Sequence, residues 1–203
     1  MTKIKICGIT NYTDAKNAVD LGADFLGLNF YSRSPRFINL RNAKAIAEKL
    51  QNKSLKVGVF VNEKIDNIIE IADYCSLDLI QLSGNEDLSF VNALRSSTNK
   101  KIIKVFKVNG DKTGDFDSFN CDYFMLDTFK NGFYGGTGEG FDLNLANGFD
   151  SKRLFLAGGL NDTNVKEAIH KLNPFAVDVC SSTESSPGKK DFNKMKKFIE
   201  AVQ

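Results

Sequence analysis

Short apolar, β-branched runs alternate with longer amphipathic stretches from one end of the chain to the other. The runs are Ile4–Ile9, Phe25–Phe30, Val57–Val61, Leu77–Leu82, Ile102–Val108, Tyr123–Asp127, Leu154–Ala157 and Ala176–Cys180. Between them, Asp14–Leu21, Ala43–Leu50, Ile65–Ala72 and Val165–Leu172 repeat apolar residues at helical spacing, and Phe192–Val202 does so last. Runs that are apolar throughout, instead of alternating, fit strands covered on both faces, and therefore parallel pairing with helical crossovers. Eight such units predict an α/β protein, a (βα)8 TIM barrel with a parallel eight-stranded barrel and outer helices, spanning 1–203 as one domain. An open doubly wound sheet is the competing architecture, but it needs only five or six runs. The fifth unit is the weakest, because Asp111–Asn120 is rich in Gly, Asp and Ser and predicts a turn or irregular segment. Thr13 or Asp14 is placed to cap the first helix, and Asn161 or Asp162 the seventh.

Composition narrows the function without naming it. A chain of 203 residues can bury one full core and falls short of two ordinary domains. The formal net charge is +2, and the basic residues are scattered apart from Lys189-Lys190 and Lys196-Lys197, so no nucleic-acid stripe is expected. No apolar run approaches the ~20 residues that cross a bilayer, and no signal segment is read, so no membrane association is expected. Cysteines at 7, 75, 121 and 180 form no Cys-x-x-Cys pair, and the chain has one histidine, which argues against a metal site. The expected location is the cytoplasm, with all four thiols reduced.

In an eight-unit barrel the chemistry sits at the C-terminal ends of the strands. This chain places Cys7 there on the first strand and Asn29 with the loop Tyr31-Ser32-Arg33-Ser34-Pro35-Arg36 on the second. Asn62, Gln81 with Ser83, Lys107 and Asp127 follow in order. Gly158-Gly159 ends the seventh unit, and Asp178 with Ser181-Ser182 the eighth. Cys7 and Asp127 are thus a candidate base and acid. A strand cysteine is more often a small core residue, and an aspartate in such a place can simply cap a turn. Arg33 and Arg36 can equally be a solvated loop, and Lys107 a rim residue. His170 falls on a helix away from any barrel mouth, which leaves the chain without a catalytic histidine. The glycine pair is harder to set aside: two glycines before a helix let backbone N–H groups approach an anion, and Ser181-Ser182 can complete the cradle. A second glycine-rich loop, Tyr134-Gly135-Gly136-Thr137-Gly138, follows strand six.

Read together, these segments resemble phosphoribosylanthranilate isomerase of tryptophan biosynthesis. The likeness runs through KICGIT at 5–10, GLNFYSRSPRFI at 27–38, VGVFVN at 57–62 and LDLIQLSGNE at 77–86. It continues through LDT at 126–128, GGTGEGFD at 135–142, LAGGLNDTNV at 156–165 and AVDVCSSTESSPGKKD at 176–191. The resemblance implies an Amadori rearrangement of a small phosphosugar without a cofactor, by a monomer or homodimer. It implies that Cys7 takes the C2′ proton of the sugar as general base. Asp127 then protonates the ring oxygen as general acid, Arg36 holds the substrate carboxylate, and the amides of Gly158, Gly159, Ser181 and Ser182 hold the phosphate, near Asp178. Cys7 should therefore have a depressed pKa and Asp127 a raised one. Three positions depart from the family pattern. Ser83 stands where members commonly have histidine, Leu143 where they have tryptophan, and Cys180-Ser181-Ser182 replaces Ser-Ser-Gly. A side chain at Ser182 is expected to crowd the phosphate if its φ is positive. Two other readings remain open: the related barrel isomerase of histidine biosynthesis, which pairs two aspartates, and a phosphosugar-binding barrel without turnover.

Overall fold

The computed structural model describes residues 1–107, 118–127 and 150–203, without the side chain of Lys107. Eight parallel strands close on themselves in sequence order: β1 (Lys3–Cys7), β2 (Phe25–Asn29), β3 (Leu55–Phe60), β4 (Leu79–Leu82), β5 (Lys101–Lys107), β6 (Tyr123–Asp127), β7 (Leu154–Ala157) and β8 (Ala176–Val179). Each strand overlaps one of the eight runs read from the sequence, and the closed order excludes the open sheet. Among the described residues six α-helices accompany them: α1 (Tyr12–Leu21), α2 (Leu40–Lys49), α3 (Ile65–Tyr74), α4 (Leu88–Ser97), α5 (Val165–Leu172) and α6 (Phe192–Val202). Of the weak fifth unit, 111–117 lie outside the described residues. A short antiparallel hairpin of β9 (Glu184–Ser186) and β10 (Lys189–Lys190) lies between β8 and α6.

The strand runs are apolar throughout because both faces are covered. One face meets the helices through Ile6, Leu26, Ile80, Phe124 and Val177, packed with Ala15, Ile46, Val91 and Phe198. The other fills the barrel with Phe25, Val57, Leu79, Ile103, Met125, Phe155 and Ala176. Phe25, Tyr123 and Phe175 stand at or just before the N-terminal ends of their strands. Tyr123 stacks on Phe175 at 4.8 Å between ring centroids, and Phe25 meets Phe155 edge-on at 5.3 Å. This aromatic cluster closes one end of the barrel, so polar chemistry is left to the other.

The caps differ from the sequence reading. Neither Thr13 nor Asp14 caps α1. Asn11 does, its side chain accepting from the Asp14 amide at 2.9 Å, and Asp14 is instead a buried acceptor for the Lys190 amide at 2.8 Å. The helix begins earlier than the apolar period suggested, which moves the cap with it. Before α5, Asn161 does bond the amides of Thr163 and Asn164 at 2.8 and 3.1 Å, but the helix boundary itself falls at Asn164. Asn11→Ala is expected to lower stability by about 1 kcal/mol, the usual value of a side-chain cap, read as a shift in the urea midpoint at constant slope.

Candidate active site

The seam where the first strand meets the last holds a buried ion pair. In register, Lys5 stands opposite Asp178 and Ile6 opposite Val179. Lys5 is fully buried, and its ammonium lies 2.7 Å from Asp178 Oδ1. Burial alone would strip the proton from such a lysine. The charges of Asp178 and Cys7 outweigh it and hold the Lys5 pKa above its ordinary value.

Side chains on a strand alternate faces, so Cys7, two residues after Lys5, points to the same interior side. Its thiol lies beside that of Cys180, which follows β8. That contact is the largest cause lowering the Cys7 pKa to about 7, and the ammonium charges of Lys5 and Lys190 lower it further against burial and Asp178. The same contact, with burial, pushes the Cys180 thiol up, so Cys180 keeps its proton, and the thiol donates to Glu184 Oε1 at 3.8 Å. Gly27 on β2 gives Cys7 its room: a Cβ there would lie 2.7 Å from the Cys7 sulfur. The direction of this shift is the one expected from the sequence for Cys7.

Asp127 ends β6, two residues after the interior Met125, and so faces the barrel from a strand separated from β1 by β7 and β8. It pairs in register with Lys107 and Ala157. Asp127 and Cys7 thus reach the same mouth from different sides.

Arg36 is held by the loop after β2. Asn29 bonds Ser34 Oγ at 3.2 Å and accepts from the Tyr31 amide, while Ser34 Oγ accepts from the Arg36 amide at 3.1 Å. The guanidinium is not simply solvated. Its Nε and Nη2 donate to the two oxygens of Glu184 at 2.8 and 2.7 Å, a fork that fixes the plane of the group. Glu184 also accepts from the Gly188 amide at 3.2 Å and lies 3.3 Å from the buried Lys190 ammonium. Burial works to raise the Glu184 carboxyl, but the Arg36 bond and the Lys190 charge more than offset it and hold the group below its ordinary value. Lys190 in turn donates to the Cys180 carbonyl at 2.9 Å. Glu184, Lys190 and Lys5 were not singled out from the sequence. Arg36 and Glu184 are 148 residues apart, and no local spacing signals such a pair.

The proposed phosphate cradle takes shape between the loops after β7 and β8. Gly158 and Gly159 have φ of 91° and 67°, a left-handed backbone that strains other residues. A Cβ at Gly159 would meet nothing within 4 Å, so the space above that backbone is open. Ser181–Thr183 forms one 3-10 turn, whose leading amides have no earlier carbonyl in the turn to bond. The crowding expected at Ser182 does not arise. Its φ is not positive, and its hydroxyl donates to the Leu160 carbonyl at 2.6 Å, tying the two loops together. Ser83 accepts from Gln81 Nε2 at 3.0 Å, and His170 is exposed on α5. The Lys107 side chain, the loop Tyr134–Gly138 and Leu143 lie outside the described residues.

Comparison with known proteins agrees with this arrangement. The sequence profile described as N-(5'phosphoribosyl)anthranilate (PRA) isomerase matches residues 4–201. The N-(5'-phosphoribosyl)anthranilate isomerase of Caldanaerobacter subterraneus subsp. tengcongensis is 41% identical over 205 residues, covering 100% of this chain and 98% of that protein. The crystal structure of phosphoribosyl anthranilate isomerase from Thermotoga maritima superposes with a TM-score of 0.87 at 38% identity, covering 100% of this chain and 98% of that one. A further structure of the enzyme, in complex with reduced 1-(o-carboxyphenylamino)-1-deoxyribulose 5-phosphate, gives a TM-score of 0.85 at 36% identity, covering 100% and 98% of the two chains. With that likeness over its whole length, the chain belongs to the N-(5'-phosphoribosyl)anthranilate isomerase family.

Proposed function

We propose that Cys7 and Asp127 are the general base and general acid of this isomerase, and that the reaction proceeds in one barrel domain. The enzyme converts N-(5-phosphoribosyl)anthranilate to 1-(2-carboxyphenylamino)-1-deoxyribulose 5-phosphate, an Amadori rearrangement in tryptophan biosynthesis. Asp127 gives its proton to the furanose ring oxygen, the C1′–O bond breaks, and the nitrogen lone pair forms a Schiff base. The cationic imine acidifies the C2′ proton, which the Cys7 thiolate removes, and the resulting enolamine tautomerises to the ketone. The imine supplies the electron sink, so the chemistry calls for no cofactor. Arg36 has five N–H donors, of which Glu184 takes two, and the rest are available to the anthranilate carboxylate. The amides at Gly158, Gly159, Ser181 and Ser182 meet the phosphate, and Asp178 acts through Lys5. The place of the reaction in a biosynthetic pathway fits a cytoplasmic location.

The observation that supports this reading is a thiol at the C-terminal end of β1, on the interior side that it shares with the buried Lys5–Asp178 ion pair, and Cys180 and Lys5 lower its pKa. Only the thiolate accepts a proton, so protonation of Cys7 on acidification removes the base. Accordingly kcat/KM is expected to rise roughly tenfold per pH unit on the acid side. It levels near pH 7, where the Cys7 thiol is about half ionised. The measurement is loss of substrate fluorescence with freshly generated phosphoribosylanthranilate between pH 5 and 9. A rate independent of pH across that range, with chemistry limiting, would remove Cys7 from the role of base.

A further inference from the structure

Cys180 is a second thiol at the reacting centre that the rearrangement does not consume. The register places it beside Cys7. Lys5 pairs with Asp178 and Ile6 with Val179, so the next residue is Cys7, the last of β1, on one side and Cys180, the first beyond β8, on the other. Cys7 follows Lys5 of the 2.7 Å ion pair by two residues on one strand and so shares its interior side. Adjacent strands lie about 4.8 Å apart, within the Cα separation of roughly 4.4–6.8 Å that a disulfide spans. The Cys180 sulfur lies 3.0 Å from the position of a Cβ at Gly8, directly beside the Cys7 backbone.

We infer that Cys7 and Cys180 form an oxidant-sensitive dithiol, which a peroxide converts to a disulfide that removes the catalytic base and which thiol reductants restore. The inference rests on Cys7 being that base for its effect on turnover, and on the strand register for the bond itself. The Cys7 thiolate attacks one peroxide oxygen: the S–O bond forms, the O–O bond breaks, and the leaving oxygen takes a proton to become water or an alcohol. Sulfur is oxidised by two electrons and the peroxide is reduced by two. The Cys180 sulfur then displaces the hydroxyl of the Cys7 sulfenic acid; S–S forms, S–O breaks, and the Cys180 proton leaves with the hydroxide as water. The surroundings favour the first step at Cys7, whose pKa is lowered to about 7, over Cys75, buried with a raised pKa, and Cys121, raised by burial to about 11. A resolving thiol held in contact protects the base from further, irreversible oxidation.

The test treats the reduced, desalted protein with a small excess of hydrogen peroxide and follows three readouts. Thiols titrated after denaturation are expected to fall from four per chain to two, and peptide mapping to show residues 7 and 180 cross-linked. Turnover is expected to fall in proportion and to return with dithiothreitol. In Cys180→Ser the same treatment is expected to yield no cross-link and a loss that dithiothreitol does not reverse, because Cys7 proceeds to sulfinic acid. Four thiols surviving an exposure that abolishes turnover, a cross-link between another pair, or full reductant recovery in Cys180→Ser would each overturn the proposal. A 7–180 cross-link that leaves turnover intact would uphold the disulfide and overturn Cys7 as the base. Loss of activity in untreated Cys7→Ser with no cross-link in wild type would do the reverse.

Discussion

Cys7→Ser is expected to turn over phosphoribosylanthranilate about 10²- to 10⁴-fold more slowly than the parent chain, the range a positioned acid–base group supplies. Serine keeps the size of the side chain and fits the gap that Gly27 provides, so folding and substrate affinity should change little. What is lost is the accessible anion. Lys5 and Cys180 bring a thiol down to about 7, but an alcohol starts far too high for the same surroundings to ionise it near neutrality. The loss should therefore fall on kcat and kcat/KM together, the mark of a group that acts in the transition state. A variant that lost only affinity would place Cys7 in binding. Asp127→Asn should lose activity on a similar scale if its proton opens the ring.

The second large effect concerns stability. Asp178→Ala is expected to cost about 3–5 kcal/mol, because it leaves the Lys5 ammonium buried without its partner. For a chain of this size that corresponds to a fall in melting temperature of roughly 10 °C. Replacing both members with apolar residues, as in Lys5→Met with Asp178→Leu, should recover most of the loss, since an unpaired buried charge is what destabilises. The double variant should nevertheless work poorly at neutral pH. Without the Lys5 charge the Cys7 thiol is less acidic, and the acid limb of the pH profile should move to higher pH. Calorimetry and the pH profile thus read two separate uses of one ion pair. An Asp178→Ala protein as stable as the parent would show that solvent reaches Lys5.

Most of the barrel was legible because its strands are covered on both faces and so lack polar interruptions. Phe25–Asn29 and Leu154–Ala157 need no knowledge of their neighbours to be read as buried strands. Where the candidate site depends on strand ends, as at Cys7, Asp127 and the Gly158-Gly159 pair, the sequence was enough to place those residues at the barrel mouth. The site was not legible where groups far apart in sequence meet. Glu184 lies in a polar stretch that gives no sign of gripping Arg36, and Lys5 reads as an ordinary lysine until Asp178 is placed opposite it. Cys180 was visible only as a departure from Ser in the family turn, and its contact with Cys7 depends on the closure of the barrel. Ser182 was judged from the glycine it replaces, whereas its backbone settles into a 3-10 turn with its hydroxyl bonded to Leu160. The cap of α1 was misplaced because a side-chain cap depends on where the backbone first turns, which periodicity locates only to within a residue or two.

The closure of the first strand against the last has a bearing on synthesis. A ribosome releases Cys7 almost at once, but Lys5 waits for Asp178, its partner 173 residues later. Until β8 docks, the thiol is flanked by a solvated lysine and carries the acidity of any cysteine in an extended chain. The nascent protein therefore travels without the surroundings that lower the Cys7 pKa, and these are assembled when β8 docks. An incomplete chain, stalled before the eighth strand, would hold nearly all of the sequence and none of the activated sulfur.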